Sequence, residues 1–285
     1  MVTRHWAPSG YVASLEDAHS ADTDRKKAGT EAAIVGGRYD EPVYEDGSTG
    51  VSLVPLPPVL QGVIGAVGRT RPVACTATHV GKGIAISAGH CALGAQYNWQ
   101  YSLTDAPTSV GTRLREWCSS LAVDWGVTWG RNAKPAATSK CANVLNGEYS
   151  QDRDYIVFSV SEPPSISVPV NVVRAIPDGA SISILGYPGG RGLMWSTPCK
   201  LTHQFDVLEL SKDYASARPS EFTHDCTTDR GESGSPVFDE WGTMVGIHDG
   251  GNPDRANWGT HLYAIHIQEQ VKSLRNQDPR EETVP

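Results

Sequence analysis

Ser233 lies in the run Cys226-Thr-Thr-Asp-Arg-Gly-Glu-Ser-Gly-Ser-Pro-Val-Phe238, a turn of small residues that leads into an apolar strand. Small neighbours let a substrate carbonyl approach the hydroxyl and leave backbone N–H groups uncovered. Ser and Gly also fill ordinary hairpin turns, so this run alone decides nothing. It gains meaning from a second run far upstream, Ile86-Ser-Ala-Gly-His90-Cys91. Attack of a hydroxyl on an acyl carbon needs a base for the proton, an acid to orient that base, and donors for the oxyanion. The candidates follow one another as His90, Asp154 and Ser233, with the N–H groups of Gly231 and Ser233 as the oxyanion hole. Asp154 opens Asp-Tyr-Ile-Val-Phe-Ser-Val, a polar residue at the mouth of an apolar strand; a plain strand-edge turn acid is the alternative.

The elements that must carry these groups are mostly strands. Runs rich in Val, Ile and Tyr fall at Gln61–Val67, Ala74–Val80, Gly83–Ser87, Asp154–Val160, Ser181–Leu185, Gln204–Leu210, Ser235–Phe238 and Met244–His248, separated by Gly, Pro, Asp and Asn turns. Near the end, Ile267, Val271 and Leu274 share one helical face. Many strands with one closing helix indicate an all-β sandwich or a pair of barrels. Residues 1–33 are polar around a charged centre and are read as a flexible leader or propeptide. No internal repeat is visible.

Composition removes several classes of function. With 285 residues and a formal net charge of −8, the chain has no basic stripe for nucleic acid. It also has no arginine-rich helix for a membrane surface and no apolar run of spanning length. The start, Met-Val-Thr-Arg-His-Trp, lacks the apolar centre of a signal peptide. Six cysteines occur without a C-x-x-C pair, which favours bridges and an oxidising compartment over zinc. Fifteen pairings are open to them; sequential pairing is the expectation, Cys75–Cys91, Cys118–Cys141 and Cys199–Cys226. Free thiols in a cytosolic protein are the competing view. No carboxylate-dense loop suggests calcium, and no Asn-x-Ser/Thr sequon is present.

The order His, Asp, Ser and the two motifs resemble the chymotrypsin-type serine peptidases, whose triad is a well-understood system. The bacterial glutamyl endopeptidase (V8-like) branch is the most similar. Its Ser-Gly-Ser-Pro matches Ser233–Pro236, and its Asp-Tyr-x-x-x-x-x-Ser-Glu-Pro matches Asp154–Pro163. Its Gly-Tyr-Pro-Gly matches Gly186–Gly189, and its Gly-Ile-His-x-Gly-Gly matches Gly246–Gly251. The likeness spans roughly residues 60–275.

It implies an all-β fold of two antiparallel six-stranded β-barrels with a C-terminal α-helix and the site between the barrels. On residues 34–285 this places an N-terminal barrel at about 60–165, a second at about 166–262, and the helix at about 264–276. It implies an acyl-enzyme peptidase acting on polypeptides, secreted and monomeric, with no cofactor or metal. By the same likeness Thr228, His248, Gly250 and Gly251 line the S1 pocket, and His248 and Thr228 could donate to an acidic P1 side chain. Thr227 stands where trypsins carry an acid, which disfavours cleavage after Lys or Arg. Asp249 departs from the small or apolar residue often found there, and its charge could repel an acidic substrate. Ile34-Val-Gly-Gly resembles the new N-terminus of activated zymogens, and a freed Ile34 ammonium could pair with Glu232.

Asp124 is the rival orienting acid, but it follows His90 too closely to close a first barrel. It falls within a segment, 112–141, that reads as an inserted, bridged loop with Trp125 and Trp129 as packing. An α/β-hydrolase elbow fails because Ser235 stands where Gly-x-Ser-x-Gly needs its last glycine. Two other possibilities are a catalytically silent binding module and an intracellular regulatory peptidase.

Overall fold

A computed structural model describes residues 41–44, 56–93, 108–129, 134–149, 153–172, 176–202, 220–251 and 256–265. Two antiparallel barrels of six strands each carry the chain. The first closes in the order β2 (Val67–Arg71), β3 (Thr76–Gly81), β4 (Ile84–Ser87), β7 (Asp154–Ser161), β6 (Ala137–Tyr149) and β5 (Ala122–Trp125). In the second, β9 (Met194–Thr202), β10 (Glu221–His224), β13 (Asn257–His261), β12 (Met244–Gly251), β11 (Pro236–Asp239) and β8 (Ser181–Gly186) follow one another. A pairing of β8 with β9 closes that ring, and the short β1 (Glu41–Pro42) adds to β9.

The apolar runs explain the closure. Every residue of β4 is buried, as are all but one residue of β3, so neither can serve as an exposed edge. Ala77, Ala85, Val123, Trp125, Ile156 and Phe158 fill the first core, and Ile182, Ile184, Leu201, Phe222, Val237 and Val245 the second. A third cluster joins the barrels through Val67, Ile86, Tyr155, Leu185, Tyr187 and Ile247. Tyr187 fastens that seam. Its hydroxyl donates to the Val67 carbonyl (3.0 Å) and accepts from the Val127 N–H (3.0 Å). Bridges join Cys75 to Cys91, Cys118 to Cys141 and Cys199 to Cys226.

Two sequence expectations change. Gln61–Val67 is not a strand: Pro58–Gln61 forms a short helix (α1), Ile64–Ala66 a 3-10 turn, and β2 starts only at Val67. Pro58 at the first helical turn, with its fixed φ, favours the helix. The segment 112–141 is no inserted loop. A helix occupies Thr108–Ser120 (α3; α2 is His90–Leu93), and β5 and the start of β6 belong to the barrel wall. Leu114, Trp117 and Cys118, spaced for one helical face, are its buried residues, and Trp117 meets Phe158 edge-on at 5.4 Å. The proposed strand Gln204–Leu210, the leader 1–33, Ile34 and most of the C-terminal helix lie outside the described residues.

Candidate active site

His90 stands at the start of α2, three residues beyond the buried end of β4. Its backbone N–H donates to Asp154 Oδ1 (2.9 Å), and its ring Nδ1 lies 2.6 Å from Asp154 Oδ2. One carboxylate thus fixes both the main chain and the imidazole of the same residue, which directs Nε2 away from the acid. Gly89 makes the approach possible: a Cβ there would lie 2.9 Å from the Tyr155 carbonyl and 3.1 Å from Asp154 Oδ1. Burial lowers the pKa of His90, but the Asp154 charge and hydrogen bond outweigh it and hold the ring above its ordinary value. Asp154 is itself anchored from the second barrel, where its N–H donates to Thr260 Oγ1 (3.2 Å).

The Ser233 turn is tied to both barrels. Its carbonyl accepts from the Thr76 N–H of β3 (2.9 Å), and the next N–H, of Gly234, donates to the His248 carbonyl of β12 (2.7 Å). Cys91 Sγ, beside His90, lies 3.9 Å from the Ser233 carbonyl oxygen. Gly231 sits at φ +94°, where a Cβ would also fall 2.7 Å from the Tyr187 carbonyl, so only glycine suits the position. The Thr76 hydroxyl accepts from the Tyr187 N–H (3.1 Å) and donates to the Gly231 carbonyl (3.1 Å). Among the described residues the N–H groups of Glu232 and Gly234 are bonded to backbone carbonyls, whereas no such bond engages those of Gly231 and Ser233. Those two are the donors an oxyanion would need.

Thr228 and His248 are fully buried, and neither Thr228 Oγ1 nor His248 Nε2 has a hydrogen-bond partner among the described residues. His248 Nδ1 lies 3.1 Å from Nε2 of His224 on β10. Burial and the nearby His90 push the pKa of His248 down to about 3, and burial with His248 drives that of His224 well below its usual value. Both rings are neutral at neutral pH. Gly250 and Gly251 continue β12, and a Cβ at Gly250 would fall 2.6 Å from Trp258 Nε1. Glu232 is buried, and its Oε2 accepts from the Asp229 N–H (2.6 Å).

Asp124 faces elsewhere. Arg71 Nη2 donates to its Oδ1 (3.0 Å), Arg71 Nε lies 2.8 Å from Oδ2, and Thr138 Oγ1 donates to Oδ1 (2.9 Å). Burial would raise its pKa, but these bonds and the Arg71 and Arg69 charges hold it below the ordinary aspartate value. The donor atoms of Cys75, His90 and Cys91 lie within 4.8 Å of one another, but both sulfurs are spent in one bridge and no thiolate is left for a metal. Sequence reasoning did not give a role to Thr76, Tyr187, His224 or Thr260. Tyr187 lies in the Gly-Tyr-Pro-Gly motif and the other three in unremarkable runs, and only the fold brings them to the site.

The profile of the trypsin-like peptidase domain matches residues 75–247. A serine protease of Mycobacterium tuberculosis (strain H37Rv) is 28% identical over 148 residues, which is 46% of this chain and 36% of that protein. The glutamyl endopeptidase of Staphylococcus aureus (strain MRSA252) is 31% identical over 100 residues, 34% of this chain and 23% of that protein. The chain therefore spans well under half the length of either relative. Among solved structures, a Glu endopeptidase in complex with MPD superimposes with a TM-score of 0.57 at 16% identity, over 86% of this chain and 100% of that one.

Proposed function

The chain belongs to the trypsin-like peptidase family, and we propose that it is a serine endopeptidase whose triad is His90, Asp154 and Ser233. The observation that carries the reading is the 2.6 Å contact between His90 Nδ1 and Asp154 Oδ2, beside the barrel whose Thr76 N–H holds the Ser233 carbonyl. Asp154 holds the ring so that Nε2 takes the proton of the Ser233 hydroxyl as Oγ attacks the scissile carbonyl. The N–H groups of Gly231 and Ser233 receive the oxyanion. The imidazolium then gives its proton to the leaving amine, and water attacks the acyl-enzyme by the same route in reverse. Ser233→Ala lowers kcat by about four to six orders of magnitude and abolishes labelling by a fluorophosphonate probe. A variant that still turns over peptide at the parent rate removes Ser233 from the mechanism.

The same proposal extends to an acidic P1 residue. Thr228 Oγ1 and His248 Nε2 are two buried polar atoms without hydrogen-bond partners among the described residues, and a glutamate carboxylate would satisfy both. If His224 Nε2 donates to His248 Nδ1, the neutral His248 carries its own proton on Nε2 as a donor. The staphylococcal relative is named a glutamyl endopeptidase, which agrees with this preference. A peptide library cleaved after glutamate or aspartate supports it; cleavage only after apolar or basic residues overturns it.

A further inference from the structure

Asp249 is the least expected residue near the site. It lies on β12 between two registers: His248 pairs with Gly259 and Gly250 with Trp258, so Asp249 is the extra residue of a β-bulge. A bulge re-aims a side chain. Here Asp249 Oδ2 accepts from Thr260 Oγ1 on β13 (2.6 Å), and the residue is 2% exposed. The same Thr260 hydroxyl accepts the N–H of Asp154 (3.2 Å). One hydroxyl thus links the Asp249 carboxyl group to the main chain of Asp154, and Asp249 is turned toward the back of the proposed triad.

We infer that Asp249 is carried as a neutral carboxylic acid and, through Thr260, acts as a positioning residue for Asp154, so that losing its proton sets an alkaline limit to activity. The inference rests on the peptidase reading for its catalytic half only. The charged groups facing Asp249 are Asp154 from β7 and Glu221 from β10, with the Thr260 hydroxyl from β13. His248, its neighbour in the strand, and His224, bonded to His248, are held neutral. No lysine or arginine of the described residues acts on Asp249 itself. Asp249 Oδ1 has no hydrogen-bond partner among them either. A buried carboxylate with acids for neighbours, and only the Thr260 hydroxyl and its own N–H as donors, is costly, and retaining the proton removes the cost. Burial, then Asp154, then Glu221 all push its pKa well above the ordinary value, and the bonds from Thr260 and from its own N–H only partly oppose them. Ionisation would place a like charge behind Asp154 and strain the hydroxyl that holds its main chain. An acid turned toward Thr260 also leaves the pocket of Thr228 and His248 without that negative charge.

Three measurements on the whole protein test this. An acid whose folded pKa lies above its unfolded value destabilises the fold progressively as pH rises above about 4. Asp249→Asn keeps an acceptor for Thr260 but cannot ionise. Its melting temperature relative to the parent therefore climbs between about pH 4 and neutrality; a difference that is flat or falling across that range overturns the inference. In kcat/KM against pH, the alkaline limb of Asp249→Asn moves up by about one unit, a gain of roughly tenfold at the most alkaline points. An unmoved limb overturns the catalytic half. Thr260→Val lowers kcat by about tenfold with KM changed less than about twofold, because the Asp154 anchor is lost while the pocket is kept; a change confined to KM counts against positioning. Should Asp249→Asn fail to fold, the infrared spectrum of the parent protein at neutral pH decides, since absence of a protonated-carboxyl stretch overturns the inference. Melts and infrared need no turnover, so a protein inert toward peptides would sink the peptidase reading and leave this one testable.

Discussion

Asp124 and Asp154 occupy strands on either side of β6 in the same barrel, and both are nearly buried, yet they do unlike work. Asp124 is surrounded by Arg69, Arg71 and Thr138, so its charge is neutralised by permanent cations and joins β2, β5 and β6. Asp154 faces His90, which is a cation only when it holds a proton. A carboxylate beside a guanidinium can only stabilise. Beside an imidazole it can also change how readily a proton is held. Burial alone does not separate the two acids; the partner does.

The largest effect that tests this contrast is on turnover. Asp154→Asn lowers kcat/KM by about ten-thousandfold, because the amide can no longer hold the needed tautomer of His90. Steady-state kinetics on a peptide substrate checks it, and a loss of less than about tenfold would mean that another group orients the ring. Asp124→Asn gives the opposite pattern: kcat/KM stays within about threefold while the free energy of unfolding drops by about 1–3 kcal/mol in a denaturant titration. A collapse of activity with unchanged stability would reverse the two roles.

A smaller effect separates the acids by pH. His90 has a folded pKa above its unfolded value, so the stability from its pairing with Asp154 is complete below about 6.5 and is lost as pH rises through the folded value. In the proposed mechanism activity needs the neutral ring and gains over the same window. The melting temperature therefore falls where kcat/KM climbs, and Asp154→Asn removes both trends. Asp124 works on the acid side: its folded pKa is depressed, so its contribution is present above about 3.9 and is lost only as pH falls through the lower folded value. Melts between pH 2 and pH 5 should show this loss in the parent and not in Asp124→Asn.

How much of this was legible in the sequence follows from how local each feature is. The His90 and Ser233 turns announce themselves because their chemistry demands small neighbours within a few residues. β4 and β7 are legible as continuous apolar runs. β6 is not: Asn143, Asn146, Gly147 and Glu148 interrupt it, and its burial pattern follows no clean alternation. Gly111 and a run of polar residues obscured α3, although Leu114, Trp117 and Cys118 were a usable helical signal. Reading those elements as a loop places Asp124 outside the barrel. The bond from Thr260 to Asp249 depends on a bulge and a register, and neither has a signature in a single chain.

Thr76 has a consequence beyond catalysis. Its main chain holds the Ser233 carbonyl, and its hydroxyl holds the Gly231 carbonyl and the Tyr187 amide, so one residue of the first barrel secures three points of the second. Any swing of one half away from the other must therefore loosen the nucleophile loop at once. On the proposed triad, such a fail-safe would disarm a half-folded or prised-open copy before it could cut itself or its neighbours.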